Sequence, residues 1–578
     1  MPALFLRKRK VKDMLNIQHV NRHLLIQKAT SFVAVNFTAL IVGLMLFACN
    51  TNPNSQTLSK DTEASTQLGE VRLQVTGAAA AQPHFEKGLL LLHSFEYEDA
   101  REAFQAAQAI DSTFAMAYWG EAMTYNHSLW QQQEKEKAVA VLERLAPDAA
   151  SRLALVETDL ERDFLTALEI LYGEGTKYER DLAYKNYLEK LSKKYPDQHE
   201  VAAFYAIALL GAARNGRDEK LYDKSARIAK GIIAENPNHP GALHYLIHSY
   251  DDPLHAFMAK DAADNYAQVA PDAAHALHMP SHIYVALGQW NDVVNSNIAS
   301  WNASVKRMQA KGLEKNARSY HALNWLQYGL LQRDEVSAAK PLLERMLAYA
   351  QIDSSKRARS YLLMMKGGHL IETADWQGTF ADINIDVADL NIVGKAQYAF
   401  LEGMKAYHRR DAAALKSTID DMQQARNLAE SRVGDQGFAM CSAGGYAGRP
   451  PNQLDVDMAK IMELELKAYL ADLQGDVVQA KTYFEEGIAI EETLSYSFGP
   501  PDVFKPVHEA YGEYLMAQED YAAAISVFEK ALETQPRRLR SLRGKQKTAE
   551  WLKDAKAAAE AAAELAVSLE ARERVAVL

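Results

Sequence analysis

A nine-residue pattern occurs twice in this chain, and its spacing restricts the fold more than any other feature. Residues 242–250 read A-L-H-Y-L-I-H-S-Y, and residues 276–284, 34 positions later, read A-L-H-M-P-S-H-I-Y. A weaker echo, H-A-L-N, begins at His321 and resembles the H-A-L-H that begins at His275. A fixed period of about 34 residues is typical of stacked helical hairpins, which bury their apolar faces only against their neighbours.

Small and aromatic residues recur at fixed places in further units of this length. The clearest unit begins at Lys505 and holds Gly512, Tyr521, Ala524, Phe528, Ala531 and Pro536 at positions 8, 17, 20, 24, 27 and 32. A unit beginning at Ala81 has the same residue types at five of these positions, in Gly88, Tyr97, Ala100, Phe104 and Ala107. Two antiparallel helices approach closely only where side chains are small. The chain therefore resembles tetratricopeptide repeat (TPR) proteins over most of residues 83–545.

This resemblance implies an all-α, right-handed superhelical solenoid of TPR-like helical hairpins. A chain of 578 residues is too long for one compact core and suits an elongated repeat array. We expect insertions near 435–453, a Gly-rich loop, and near 498–504, where Gly499-Pro500-Pro501 stops a helix. The Ala-rich residues 546–578 are predicted to form a C-terminal capping helix.

The N-terminus carries the features of an export signal. Arg22 and Lys28 precede an apolar run at 41–48, and Cys49 follows it. The ending L-F-A-C resembles the lipobox of bacterial lipoproteins, which implies that residues 1–48 are removed and that Cys49 is acylated. An uncleaved membrane anchor is the alternative, and translation could start at Met14. Residues 49–82 are expected to be a flexible tether. The resemblance to lipoproteins implies, from Asn50 after the cysteine, an outer-membrane lipoprotein that faces the periplasm.

The net charge narrows the range of partners. Without residues 1–48, the chain has 57 basic and 74 acidic side chains, a formal charge of −17. Such a body repels phosphate backbones, so we expect no nucleic-acid partner.

Five histidines of the duplicated segment are predicted to share one face. When repeats are counted from Pro240 and Ala274, His244 and His278 take position 5, His248 and His282 take position 9, and His275 takes position 2. These positions lie on one side of a helix, and histidines at i and i+4 can reach one metal ion. Imidazole ligands without thiolate suit zinc, copper or iron. The alternative is a structural role, with each imidazole hydrogen-bonded to the next helix.

In TPR proteins this face lines the concave groove where ligands bind. We therefore expect the four histidines of the two pairs to converge in one concave pocket, with His275 at its edge. Pro280, between His278 and His282, could kink or begin the helix there. Further polar residues are predicted to line the groove: Tyr250, Tyr284, Asp251, Asp252, Glu121, His93 and His321. For Glu121, an ion pair with a basic residue on a neighbouring helix is the preferred interpretation.

Three functions are compatible with these patterns. The first is a lipid-anchored solenoid that binds a protein or peptide partner in its groove, which the resemblance implies by default. The second is a metal-dependent enzyme or metal carrier that uses the duplicated A-L-H-x-x-x-H-x-Y motif. The third is a structural role in envelope assembly. The sequence leaves open whether the protein is an enzyme.

Overall fold

The computed structural model of the protein describes residues 67–434, 450–496 and 498–570. All of them belong to one compact unit. The predicted signal segment, Cys49 and most of the predicted Gly-rich insertion lie outside the described residues.

Helices make up nearly all regular structure in the described part of the first half of the chain. The only described strands are β1 (Asn126–His127) and β2 (Gln132–Gln133), a two-residue antiparallel pair. The helices of this half are α1 (Gln82–His93), α2 (Tyr97–Ile110), α3 (Ala115–Met123), α4 (Lys135–Leu145), α5 (Ala149–Leu153), α6 (Asp159–Leu171), α7 (Lys177–Lys194), α8 (His199–Gly211), α9 (Glu219–Glu235), α10 (Pro240–Ser249), α11 (Lys260–Val269), α12 (Ala274–His278) and α13 (Pro280–Ala286), with short 3-10 turns at Ser128–Trp130 and Ala256–Ala259.

The second half continues in the same way, so the predicted all-α solenoid of helical hairpins is confirmed. Its helices are α14 (Trp290–Ala310), α15 (Tyr320–Gln332), α16 (Val336–Ile352), α17 (Lys356–Thr373), α18 (Ile392–His408), α19 (Ala412–Glu430), α20 (Gln453–Gln474), α21 (Val477–Glu491), α22 (Val507–Ala517), α23 (Tyr521–Thr534), α24 (Leu539–Leu552) and α25 (Ala555–Leu569), with a 3-10 turn at Lys315–Ala317.

Side-chain caps account for several helix starts. Thr158 begins α6 with a reciprocal capping box, in which its hydroxyl accepts from the Glu161 amide while the Glu161 carboxylate accepts from the Thr158 amide. Thr176 begins α7 in the same way. His239 caps α10 through its ring Nδ1, which accepts from the Ala242 amide at 3.2 Å. That cap sets the start of the helix that carries His244 and His248.

The predicted glycine and phenylalanine positions pack together in the same way at two places, and we call each phenylalanine with its two glycines a stack. Phe104 is fully buried, and its ring packs against the backbones of Gly88 and Gly120. Phe528 packs in the same way against Gly512 and Gly544. In both stacks the phenylalanine is 16 residues from each glycine, so the helices pack through the same contact near both ends of the array.

The apolar side chains form two main cores. The first extends from Leu68 to Tyr328, and the second from Val294 to Phe528. They meet at α14 and α15, whose residues contribute to both. Residues near position 290 and those of α15 therefore lie at the centre of the molecule.

The C-terminal hairpin packs back onto this centre. The Trp290 indole donates to the Arg537 carbonyl at 3.0 Å, and the Leu539 amide donates to Gln332 Oε1 at 2.8 Å. Arg538 is 1% exposed, donates to the Tyr328 hydroxyl at 2.9 Å and pairs with Glu509. The end of the array is therefore tied to its middle by buried polar contacts.

The structure corrects two predicted boundaries. Residues 67–81, expected within the flexible tether, pack on the first core, where Leu68 is 2% exposed and the Glu70 amide donates to the Asn238 carbonyl at 2.9 Å. This segment has few large apolar residues, but Leu68 is buried in the first core.

The predicted boundary at 545 falls inside α24. A second helix follows α24 because Lys553 adopts a left-handed conformation and Asp554 caps α25. No glycine signals that break.

The 498–504 insertion is free of helix in its described residues and covers part of α15. Gly499 has a φ of 137°, and a side-chain carbon there would lie 2.2 Å from the Trp325 ring. Only glycine allows this approach. Among the described residues, no helix is both long and apolar enough to cross a membrane.

Candidate functional site

The two copies of the histidine motif lie on neighbouring helical segments. His244 and His248 are on α10, and His278 and His282 are on α12 and α13, on either side of Pro280. Met279 keeps helical dihedral angles of −53° and −37°, so the chain stays helical across the break before Pro280. The possible kink therefore does not separate the second pair: its two Nε2 atoms lie 3.2 Å apart.

Hydrogen bonds define the orientation of the 278/282 pair. The His282 Nδ1 lies 2.6 Å from the Asp251 carboxylate, which can only accept, so Nδ1 carries the proton. The His278 Nδ1 lies 2.7 Å from the oxygen of Asn297, whose amide nitrogen donates to the Val293 carbonyl at 2.8 Å. These acceptors assign a proton to both Nδ1 atoms and leave the two Nε2 lone pairs facing each other.

His321 and Trp325 complete this part of the site. The three rings of His278, His282 and His321 bring one nitrogen each within 4.8 Å of one another, and we call this set the 278/282/321 triad. The Trp325 ring lies 4.7 Å from that of His278 and 4.6 Å from that of His282. Trp325 therefore packs against two of the three rings of the triad.

The first motif forms a second triad with His275. The Nε2 atoms of His244 and His248 lie 3.1 Å apart. One nitrogen of His275 lies within 4.8 Å of one nitrogen of each of these two rings. The His244 Nδ1 donates to the His93 carbonyl at 2.7 Å. The His248 Nδ1 and His275 Nε2 have no hydrogen-bond partner among the described residues.

Burial favours the neutral form of five of these imidazoles, those of His244, His248, His275, His278 and His321. It lowers the pKa of His244 and His248 well below the usual value, and neighbouring histidines lower both further. Burial, together with the charge that His282 would carry, lowers the pKa of His278 to about 3. Neutral imidazole is the form that binds metals.

The two triads lie side by side but do not line a groove. The rings of His248 and His282 are 5.8 Å apart, and those of His275 and His278 are 6.2 Å apart. The four histidines of the two pairs are at most 2% exposed. The expectation of a concave surface lined by histidines is therefore wrong in this respect, because aromatic side chains cover the imidazoles.

His93 belongs to a third cluster. Its Nε2 lies 2.7 Å from the Glu200 carboxylate, whose other oxygen is 3.2 Å from His239 Nε2, and Tyr245 donates to its Nδ1 at 2.9 Å. All three charged or ionisable side chains are fully buried. Burial outweighs the attraction of Glu200 and lowers the pKa of His93. Glu200 and His239 have no repeat signal in the sequence, and sequence reasoning missed them.

The remaining predicted groove residues take separate roles. Tyr284 donates to Asp264 at 2.9 Å, and Tyr250 stacks on His255. Asp252 accepts from the backbone amide of Leu254 and from the ring of His255. Glu121 pairs with Arg144 and accepts from Gln105 and Gln108, away from the histidine triads.

A cavity of about 760 Å³ lies beside the triads. Trp325 belongs to its wall and also contacts the histidine rings. Gln327, also on the wall, has neither a donor nor an acceptor for its side-chain amide among the described residues. Much of the wall is aromatic or aliphatic: Trp130, Trp325, Tyr328, Leu331, Met364, Leu454, Met458, Leu494, Tyr496, Phe498 and Phe504.

Asn297, Trp325 and Gln327 are the important residues that sequence reasoning missed. The weak H-A-L-N echo that begins at His321 could have drawn attention to α15, because Trp325 and Gln327 lie within six residues of His321. Asn297 lies in the middle of α14, where an isolated amide carries no pattern.

A family model matches one segment near the C-terminal end of the chain. Residues 506–538 match the family model described as tetratricopeptide repeat. No curated protein matches the sequence. Among solved structures, a human IFIT1 dimer with m7Gppp-AAAA is 12% identical and has a TM-score of 0.32, with 86% of this chain and 87% of that one covered. The TPR domain of P58(IPK) is 14% identical with a TM-score of 0.16, with coverages of 83% and 99%.

Proposed function

We propose that this tetratricopeptide repeat protein is a lipid-anchored scaffold of the bacterial envelope that binds an extended peptide segment of a partner protein in its central cavity. The observation that carries this proposal is the buried Gln327 amide on the cavity wall, with both its nitrogen and its oxygen unpaired among the described residues.

An unpaired buried amide identifies the kind of ligand that fits. Leaving such a group unsatisfied costs about 1–3 kcal/mol, so a ligand that pairs with it gains free energy. A peptide bond offers one N–H and one C=O, which complement the oxygen and nitrogen of a side-chain amide. Asn324, one turn earlier on α15, lies on the same wall. Two amides at this spacing suit consecutive backbone groups of an extended segment.

The apolar wall supplies the second half of the recognition. Trp130, Tyr496 and Phe498 contribute aromatic surface to a space of about 760 Å³. Cavities of about 300–1,000 Å³ with mostly apolar walls and few polar groups are typical ligand sites. Such walls would bury the side chains of a short segment while the amides bind its backbone.

The proposed anchor is supported by the L-F-A-C sequence that ends at Cys49. The described body begins close after it, at residue 67, and packs from Leu68 onward. Residues 50–66 separate Cys49 from this packed segment, which would limit its distance from the membrane surface to about 60 Å.

A peptide-display selection on the purified chain tests the binding proposal. We expect enriched sequences that bind the parent protein and lose at least about tenfold in affinity to Gln327→Ala, the equivalent of about 1.4 kcal/mol. Gln424→Ala, on the exposed face of α19, is the matched control and should bind like the parent. Failure to enrich any peptide, or equal binding by both variants, would reject the proposal.

A further inference from the structure

The 278/282/321 triad has an arrangement that neutral imidazoles alone do not explain. Both Nδ1 atoms of the 278/282 pair already donate, to Asn297 and to Asp251. A neutral imidazole carries one proton, so both Nε2 atoms present lone pairs to each other across 3.2 Å. Two facing lone pairs repel unless a cation or an additional proton lies between them.

An additional proton is the less favourable solution. It would make one of the two rings an imidazolium, and these side chains are at most 2% exposed. Burying such a charge costs free energy unless it is well paired. The Asp251 carboxylate lies on the Nδ1 side of His282 and not between the two Nε2 atoms.

The geometry fits a metal ion closely. Imidazole nitrogens bind zinc at about 2.0–2.1 Å, and two such ligands in a tetrahedral arrangement are about 3.3 Å apart. The observed separation is 3.2 Å. The His321 ring, centred 4.5 Å from that of His278, contributes a third nitrogen within reach.

The outer partners also match those of a metal site. Ligating histidines usually donate their other N–H to a carboxylate or a carbonyl, which fixes the tautomer and the ring orientation. Asp251, fully buried, takes this role for His282 at 2.6 Å, and Asn297 takes it for His278 at 2.7 Å. The negative charge of Asp251 would also offset part of the charge of the ion.

The His93 ring of the third cluster has a different pattern of hydrogen bonds. His93 donates to Glu200 through one nitrogen and accepts from Tyr245 through the other. Each nitrogen of that ring has a partner of the opposite role. In the 278/282 pair, by contrast, two lone pairs face each other across 3.2 Å.

We propose that His278, His282 and His321 bind one divalent transition-metal ion of the zinc class, and that Asp251 and Asn297 hold the first two ligands in position. This site is independent of the peptide-binding proposal, because Gln327 has no part in it. The ion would lie behind Trp325, which separates it from the cavity.

Zinc binding to the full chain, purified without a histidine tag and treated with a chelator, tests this assignment. The probe is zinc alone, measured by elemental analysis and by competition with a chromophoric chelator. His282→Asn is the informative variant, since asparagine can keep the hydrogen bond to Asp251 while lacking Nε2. We expect it to remove one equivalent of zinc per chain.

His239→Asn is the matched control, because it makes the same change in the third cluster and keeps a side chain that can cap α10. We expect it to retain the zinc of the parent. Asp251→Asn should keep the ligands but weaken zinc binding by about 10–100-fold, the usual effect of losing an outer partner.

A direct location of the ion covers the case in which a variant fails to fold. Anomalous scattering at the zinc edge from crystals of the parent should place the ion between the Nε2 atoms of His278 and His282. Equal zinc content in the parent and His282→Asn, or anomalous density elsewhere only, would overturn the proposal. A parent that binds no zinc above the level of a denatured sample would also overturn it.

Discussion

Gly120→Ala is predicted to destabilise the protein, although alanine is the better helix former. A methyl group at Gly120 would lie 2.3 Å from one carbon of the Phe104 ring and 2.4 Å from another. Phe104 cannot withdraw, because it is fully buried and its other side meets Gly88 and Phe85. Overpacking of this kind costs about 1–3 kcal/mol, whereas the gain in helix propensity is about 1 kcal/mol. We expect a net loss of up to about 2 kcal/mol.

The measurement is urea unfolding followed by far-ultraviolet circular dichroism. Gly231→Ala, on the exposed face of α9 with no atom within 4 Å, is the matched control and should gain up to about 1 kcal/mol. Combining Gly120→Ala with Phe104→Leu should reduce the cost of the added methyl, because the ring is gone. If Gly120→Ala raises the unfolding midpoint as Gly231→Ala does, the glycine is not required for close packing.

Three further changes test other parts of the structure. Arg538→Ala would remove the nearest cation from the buried carboxylates of Glu509 and Glu372, so we expect a loss of about 3–5 kcal/mol in urea unfolding. A loss below about 1 kcal/mol would contradict the buried pairing. Burial alone would raise the pKa of Glu513, but the charge of Lys505 and a nearby arginine outweigh it and lower that pKa to about 2. This carboxylate therefore stabilises the fold at pH values above its unfolded pKa of about 4.3, and its contribution is lost as the pH falls toward 2. Glu513→Gln should consequently reduce the loss of stability at acid pH in a plot of unfolding free energy against pH. An unchanged acid loss would refute the assignment. Cys49→Ala should abolish incorporation of a palmitate analogue, and equal labelling of both proteins would refute lipid attachment at this residue.

The repeat period predicted the fold well because its physical basis is local. Glycine at position 8 and phenylalanine at position 24 specify where two helices cross, and both stacks form as the spacing requires. The same logic placed the two histidine pairs on adjacent helices. It did not anticipate how deeply they are buried, because the covering ring of Trp325 comes from α15, more than 40 residues after His282.

Non-local contacts explain the other differences. The packing of residues 67–81 depends on partners such as Asn238, far along the chain, and a segment with few large apolar residues gives no sign of them. The Glu200 network joins three helices through side chains without any repeat spacing. Periodicity describes neighbours in a stack, and these contacts are made between elements that are not neighbours.

The closure of the C-terminal hairpin onto α15 has a consequence for the kinetics of folding. A simple repeat array can nucleate anywhere and grow outward, since each unit needs only the next. Here Tyr328 meets Arg538 across 210 residues of chain. At synthesis rates of about 5–20 residues per second, Arg538 would be synthesised roughly 10–40 s after Tyr328. During that interval the Tyr328 hydroxyl and the Gln332 Oε1 lack their final donors, Arg538 and the Leu539 amide. Folding of the centre is therefore coupled to completion of the last repeat, and the array should gain its full resistance to unfolding only in that final step.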